Sequence, residues 1–172
     1  MSEVPVRKRI LAFVVAHPAV HVREVERQLG LSDRLASYHL NEMQREKLVR
    51  RVRRGGYDRY FARHALDRLS KQDVDFLCLM RSGPALRITV ALLATSEETH
   101  GTLARQLGLA KASTSYHLAT LVRRGIVAVR RSGRERWYSL ADPDYVQGML
   151  ERFEPTPGSL DTFSAMWHDL FD

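Results

Sequence analysis

The chain has 172 residues and a formal net charge of +7, from 27 lysines and arginines against 20 aspartates and glutamates. That length holds one large domain or two small ones, and a single cysteine, Cys78, excludes an internal disulfide and fits a reduced, cytoplasmic setting. No stretch approaches the roughly 20 apolar residues of a membrane span, no Cys/His spacing matches a zinc site, and no phosphate loop, nucleophile motif or consistent carboxylate pair marks an enzyme. The expectation is a non-enzymatic protein without metal or cofactor.

The first predicted helix covers residues 6–16 and stops at His17-Pro18, because proline disfavours helical geometry at the residue before it. Arg7-Lys8-Arg9 ahead of this apolar run imitates a secretion signal, but the periodic pattern continues directly into the next element. A short helix over 22–29 ends at Gly30, where a left-handed cap is easiest for glycine. A third helix follows over 32–46 with Ser32 as N-cap. Residues 48–54 and 57–62 read as strands meeting at Gly55-Gly56, a two-residue hairpin signal. The segment from Ser70 to Arg81 is helical, with Ser70 and Asp73 at capping-box spacing.

The same order then returns: helices over 84–94, 101–107 (closed by Gly108) and 110–124, then strands over 126–131 and 135–140 around Ser132-Gly133-Arg134. After Asp142-Pro143, Val146, Met149, Leu150 and Phe153 form one apolar stripe. Beyond Pro155 and Pro157 a last amphipathic segment carries Leu160, Phe163, Trp167, Leu170 and Phe171.

The return is a sequence repeat. Residues 22–62 align with 100–140 at a constant offset of 78 without a gap, with 14 identities over 41 positions. Gln28-Leu29-Gly30-Leu31 recurs as Gln106-Leu107-Gly108-Leu109, and Ser37-Tyr38-His39-Leu40 as Ser115-Tyr116-His117-Leu118. A period this long exceeds that of a solenoid unit, so two copies of one small domain is the economical reading.

Basic charge gathers at the same place in each copy: residues 47–63 carry a net +6 and residues 122–138 a net +5. The rest of the chain is therefore acidic on balance, and two equivalent basic hairpins are the footprint of a polyanion-binding surface. In the third helix of each copy, Ala36, Leu40 and Met43, or Thr114, Leu118 and Leu121, share the core face at about 100° per residue. Arg34, Tyr38, Asn41 and Arg45 project opposite in the first copy, and Ala112, Tyr116, Ala119 and Arg123 in the second. Arginine bonds bidentately to guanine and asparagine to adenine in the major groove, and Asn41 is the only asparagine in the chain. The second copy offers less for base reading and more for backbone positioning. His39 and His117, at the edge of the core face, are expected to be structural, and His17 and His21 do not share a helix face that would suit a metal.

Helix, helix, helix and hairpin is the order of a winged helix-turn-helix. The second copy, from Ser82-Gly83-Pro84 through Leu103-Ala104-Arg105-Gln106-Leu107-Gly108-Leu109 to Trp137-Tyr138-Ser139-Leu140, resembles the arsenic-repressor (ArsR) type of winged-helix transcriptional regulator. The first, with His17-Pro18-Ala19-Val20-His21-Val22 and Ser37-Tyr38-His39-Leu40, is similar to winged-helix regulators common in archaea. The metal-sensing cysteine pair of arsenic-type sensors has no counterpart here. The resemblance implies a mainly α fold with small β-hairpin wings, two tandem winged helix-turn-helix domains plus C-terminal helices. The expected divisions are 1–64 (first domain), 65–82 (linker helix), 83–141 (second domain) and 142–172 (C-terminal helices). It also implies a sequence-specific regulator of transcription that binds double-stranded DNA.

The expected contacts on the third helices are Arg34, Ser37, Tyr38, Asn41, Arg45, Lys111, Ser113, Ser115, Tyr116 and Arg123. On the wings they are Arg51, Arg53, Arg54, Arg130, Arg131 and Arg134. Strand alternation turns only half of each wing run to the nucleic acid, and the sequence leaves open which half. A homodimer is expected through the Ser70 to Arg81 helix and the C-terminal helices, the alternative being that the C-terminal helices dock on the chain's own second domain. The competing reading, a protein-interaction subunit using winged helices as scaffold, does not call for arginines concentrated at two equivalent hairpins.

Overall fold

The computed structural model describes residues 4–153 and residue 155. The chain divides between Cys78 and Leu79 into two compact units, each built on the same plan.

In the first unit, α1 (Val6–Ala16), α2 (Val22–Leu29) and α3 (Asp33–Arg45) precede the strands β1 (Val49–Arg54) and β2 (Tyr57–Ala62). Ile10 and Val14, four residues apart on α1, pack with Val25 of α2, Leu40 and Met43 of α3, Val49 of β1 and Tyr60 of β2 into one core. Local chemistry sets the ends of these elements. His21 Nδ1 accepts from the Arg23 N–H at 3.2 Å while the Glu24 carboxylate accepts from the His21 N–H at 2.8 Å, a reciprocal cap that starts α2. Gly30 ends it at φ 64°, a conformation that favours glycine because a Cβ crowds the carbonyl there. The Ser32 hydroxyl then accepts from the Leu35 N–H at 3.3 Å and opens α3.

Gly55 and Gly56, at φ 57° and 81°, form the turn whose twist matches the flanking antiparallel strands. Pairing runs from Val49 opposite Ala62 to Arg54 opposite Tyr57. The hairpin is braced at its base by a half-hidden ion pair, Arg59 to Glu24 at 3.7 Å, and by Arg59 lying 5.5 Å from the Tyr57 ring centre. A single turn, α4 (Arg63–Leu66), leads to α5 (Lys71–Leu79). At the start of α5, Ser70 and Asp73 exchange hydrogen bonds of 2.8 and 3.1 Å, so aspartate completes the box that usually takes a longer side chain. The apolar residues Val74, Phe76 and Leu77 of α5 are buried.

The second unit contains α6 (Gly83–Thr95), β3 (Glu97–Thr99), α7 (His100–Gln106), α8 (Lys111–Arg123), β4 (Val127–Ser132), β5 (Glu135–Leu140) and α9 (Pro143–Arg152). Its sheet has the order β3-β5-β4 and is antiparallel throughout. Asp142 caps α9 by accepting from the Tyr145 N–H at 2.9 Å, and Val146, Met149 and Leu150 turn inward.

The repeat extends beyond the 41 aligned residues into the first helix of each unit. Arg9 of α1 donates to the Leu29 carbonyl at 3.0 Å, and Arg87 of α6, 78 positions later, donates to the Leu107 carbonyl. In both units an arginine therefore satisfies a carbonyl left open at the end of the second helix, where a cation also complements the helix dipole.

Two elements escape the sequence reading. The strand β3 is only Glu97-Glu98-Thr99, too short and polar for a periodic signal, and the first unit reduces it to one bridge, Val20 to Tyr60. The single turn α4 is likewise below the length at which periodicity registers. The first of the expected C-terminal helices is α9, while the amphipathic segment after Pro155, with the dimer contact assigned to it, lies outside the described residues.

The two faces of α3 should respond differently to truncation. Leu40 is fully buried, so Leu40→Ala should destabilise the first unit by about 2–5 kcal/mol. Tyr38 on the opposite face is 58 % exposed, and Tyr38→Ala should stay within about 0.5 kcal/mol. Urea unfolding followed by circular dichroism reads both, and equal losses would mean that the helix is turned otherwise.

Candidate nucleic-acid interface

The burial of Ala36, Leu40 and Met43 fixes the rotation of α3 and leaves Arg34, Tyr38, Asn41 and Arg45 exposed. Ser37 is half-buried, and its hydroxyl donates to Asp33 Oδ1 at 3.1 Å, so it is engaged within the helix. Arg45 lies 2.5 Å from Glu42 on the same helix, with most of its side chain in solvent.

Register decides which wing arginines look toward α3. Directly opposed residues in an antiparallel pair share a face, so Val49, Arg51 and Arg53 lie on one side with Asp58, Tyr60 and Ala62. Tyr60 and Val49 belong to the core, so this side turns toward the helices. Asn41, Gln44 and Arg45 of α3 and Arg51 of β1 together line an open groove of about 240 Å³. Arg51 and Arg53 share one counter-ion, Asp58, at 3.6 and 3.2 Å. Arg54 lies on the other side. Its Nε donates to Asp75 of α5 at 2.9 Å and its Nη1 to the Arg53 carbonyl at 3.1 Å.

The second unit repeats the geometry with different side chains. Thr114, Leu118 and Leu121 are buried in α8. Lys111, Ala112, Ser115, Tyr116, Ala119 and Arg123 are exposed and Ser113 is half-buried. The Ser115 hydroxyl lies 2.9 Å from His100 Nε2, and Arg123 donates to the Thr120 hydroxyl at 3.2 Å. The groove between α8 and the wing is larger, about 630 Å³, and Ser115, Ala119, Val122, Val129, Arg130, Arg131, Arg136 and Tyr138 line it. Arg131 and Arg136 are cross-strand partners.

Arg130 borders the groove, but strand alternation turns its guanidinium to the opposite side of the sheet. It holds Glu97 of β3 through two hydrogen bonds of 2.5 and 2.7 Å and lies 5.6 Å from the Trp137 ring centre. The hydrogen bond from Arg130 lowers the Glu97 carboxyl below its ordinary range and raises the guanidinium in turn. Arg134 stands exposed in the turn. Arg136 and Gln44 are groove residues that the sequence reading did not single out. The two-residue turn after Ser132 held the signal for the first, since it sets 131 opposite 136.

His39 and His117 are half-buried beside the exposed tyrosines, edge-on at 5.2 Å from Tyr38 and 5.1 Å from Tyr116. Burial pushes the His117 imidazole below its usual pKa. His21 is lowered too, by burial first and then by the positive charge of Arg59.

The two units match different family models, a MarR family model over residues 5–59 and an IclR helix-turn-helix domain model over residues 78–131. No curated protein is similar enough to match. Among solved structures, reduced HlyU from Vibrio cholerae is 25 % identical at a TM-score of 0.45, over 54 % of this chain and 99 % of that one. The fragment of Mb0332 from Mycobacterium bovis, described there as a homodimeric winged helix-turn-helix DNA-binding domain of a possible ArsR-family regulator, is 26 % identical at 0.42, over 51 % and 77 %. The repressor BigR from Xylella fastidiosa is 21 % identical at 0.45, over 56 % and 100 %. Among the described residues no single helix is long and apolar enough to cross a membrane. With three helices and a hairpin in each unit and a regulator-type helix-turn-helix match on each, the chain is a tandem winged helix-turn-helix protein of the transcriptional-regulator class.

Proposed function

We propose that the protein is a sequence-specific regulator that binds double-stranded DNA with both units, the first reading bases and the second gripping the backbone. One observation carries the reading: at a constant offset of 78, each unit sets the exposed face of its third helix beside an arginine-bearing strand face of its wing. A helix of this kind enters the major groove while the wing lies along the duplex. Arg34 and Asn41 carry the donors and acceptors that distinguish base pairs. Their counterparts Ala112 and Ala119 carry none, so the second unit contributes through Lys111, Arg123, Arg131, Arg134 and Arg136, which suit phosphates.

Within this reading Arg51 and Arg53 are the phosphate contacts of the first wing, and Arg54 and Arg130 hold the wings in place through Asp75 and Glu97. Two units in one chain supply the paired contacts that single-domain winged helices obtain by dimerising. We extend the reading to a homodimer, the state given for the Mycobacterium bovis fragment. A protein-interaction scaffold is disfavoured by the absence of any need for two arginine-lined grooves.

Affinity for duplex DNA should fall steeply with salt, each neutralised phosphate adding about −0.9 to the log–log slope. A titration by fluorescence anisotropy at rising salt reads this, and a flat profile would contradict the proposal. Arg34→Ala and Asn41→Ala should relax sequence preference by about 1–3 kcal/mol for each lost base contact. Arg131→Ala with Arg136→Ala should instead weaken cognate and scrambled duplexes alike and reduce the salt slope. Light scattering of the full chain should give twice the monomer mass, and a monomer at high concentration would remove the dimer while leaving the DNA reading intact.

A further inference from the structure

The two grooves are built on the same frame and differ in one consistent way. Where the first has Asn41, Gln44 and Arg51, the second has Ala119, Val122 and Val129. Where the first wing carries Asp58, the second carries Arg136. The second groove therefore has an apolar floor, finished by Tyr138, under a rim of Arg131 and Arg136, and among the described residues no acidic side chain lines it. Val129 is 45 % exposed on that floor. A DNA backbone offers anions to the rim and almost nothing to the floor. An occupant that fits both must interleave acidic and aromatic residues.

The chain itself contains such a segment. After Arg152 there is no lysine or arginine, and residues 154–172 carry four acidic residues among Phe163, Trp167, Leu170 and Phe171. Apolar side chains this dense need cover in water. Reach is no obstacle: α9 belongs to the second unit and ends at Arg152, and the residues that follow span up to ~60 Å when extended. A domain of about 100 residues has a radius of gyration of only about 13 Å. A tethered segment also meets its site at an effective concentration in the millimolar range, so a weak contact suffices.

We propose that the acidic, aromatic C-terminal segment, residues 156–172, occupies the groove between α8 and the second wing and competes there with DNA. Asp161, Asp169 and Asp172 answer Arg131 and Arg136, and the aromatic side chains cover Ala119, Val122 and Val129. The docking stands on the groove itself, and only the competition rests on the DNA-binding reading. The segment then acts as an internal anion that must leave before the second unit grips a duplex, while the first unit stays free to read.

The test compares the full chain with the full-length variant Asp161→Asn/Asp169→Asn/Asp172→Asn, which removes the charges without shortening the protein. Amide spectra without DNA should differ at Ala119, Val129, Arg131 and Arg136, and the variant should bind a duplex several-fold more tightly. Unchanged groove resonances overturn the proposal, whether the differences appear nowhere, at another surface, or together with a change from dimer to monomer. Shifted groove resonances with equal DNA affinity refute the competition. If the groove shifts and neither protein binds DNA, the docking stands and the DNA-binding reading falls.

Discussion

The burial of one face of each third helix is the constraint on which the rest depends. Leu40 and Met43 in α3, and Leu118 and Leu121 in α8, are sealed from solvent, and burying a side chain of this size is worth about 1.5–3 kcal/mol. Rotating either helix to hide its outer face would strand these residues in water and bring Arg34, Asn41 or Arg123 into the core, where an unpaired charge is far more costly. The outward face is thus set by what cannot be outward. The wing follows from the same core: Val49 and Tyr60, and Val127 and Tyr138, anchor one strand face to the helices. Strand alternation then places Arg51 and Arg53, or Arg131 and Arg136, on the side that lines the groove.

Within that frame, ion pairs sort the arginines. Basic runs of the kind found at 50–54 and 130–136 look uniform in sequence, yet the members do different work. Arg54 and Arg130 are drawn to Asp75 and Glu97, acids that lie outside the wings themselves. The Arg130–Glu97 pair is exposed and the Arg54–Asp75 pair part-buried, and solvent-screened pairs add little stability; their effect is positional, since a guanidinium held by a carboxylate is a poorer ligand for a phosphate. The first wing also divides one aspartate, Asp58, between two arginines, whereas the second has Arg136 at the equivalent position. The second groove is in consequence the more cationic and, on its floor, the more apolar.

Much of this organisation was legible in the sequence because local signals agreed with the tertiary pattern. Gly30, Gly108 and Gly55-Gly56 mark positive φ positions, Ser32 and Asp142 cap the helices that follow them, and the 3.6-residue period of α3 and α8 separates the buried face from the exposed one. The repeat supplied what neither copy gives alone, a second instance of each weak signal. The short strand β3 was not legible, because its three residues earn their place only by pairing with β5. Nor was the sorting of the arginines, since Arg54 meets a partner 21 positions away and Arg130 one 33 positions away, and no local pattern encodes such distances. Arg136 was within reach of register arithmetic, once the turn length fixed its partner.

The central claim is that one frame, used twice, does two jobs: the first unit reads bases and the second holds the backbone. Selection of binding sites from a randomised duplex library, followed by footprinting of the selected DNA, tests it most directly. The account predicts one block of fixed sequence beside a protected stretch of free sequence, with the fixed block lost in Arg34→Ala/Asn41→Ala. Two equally defined half-sites would contradict it, as would protection without any enriched sequence.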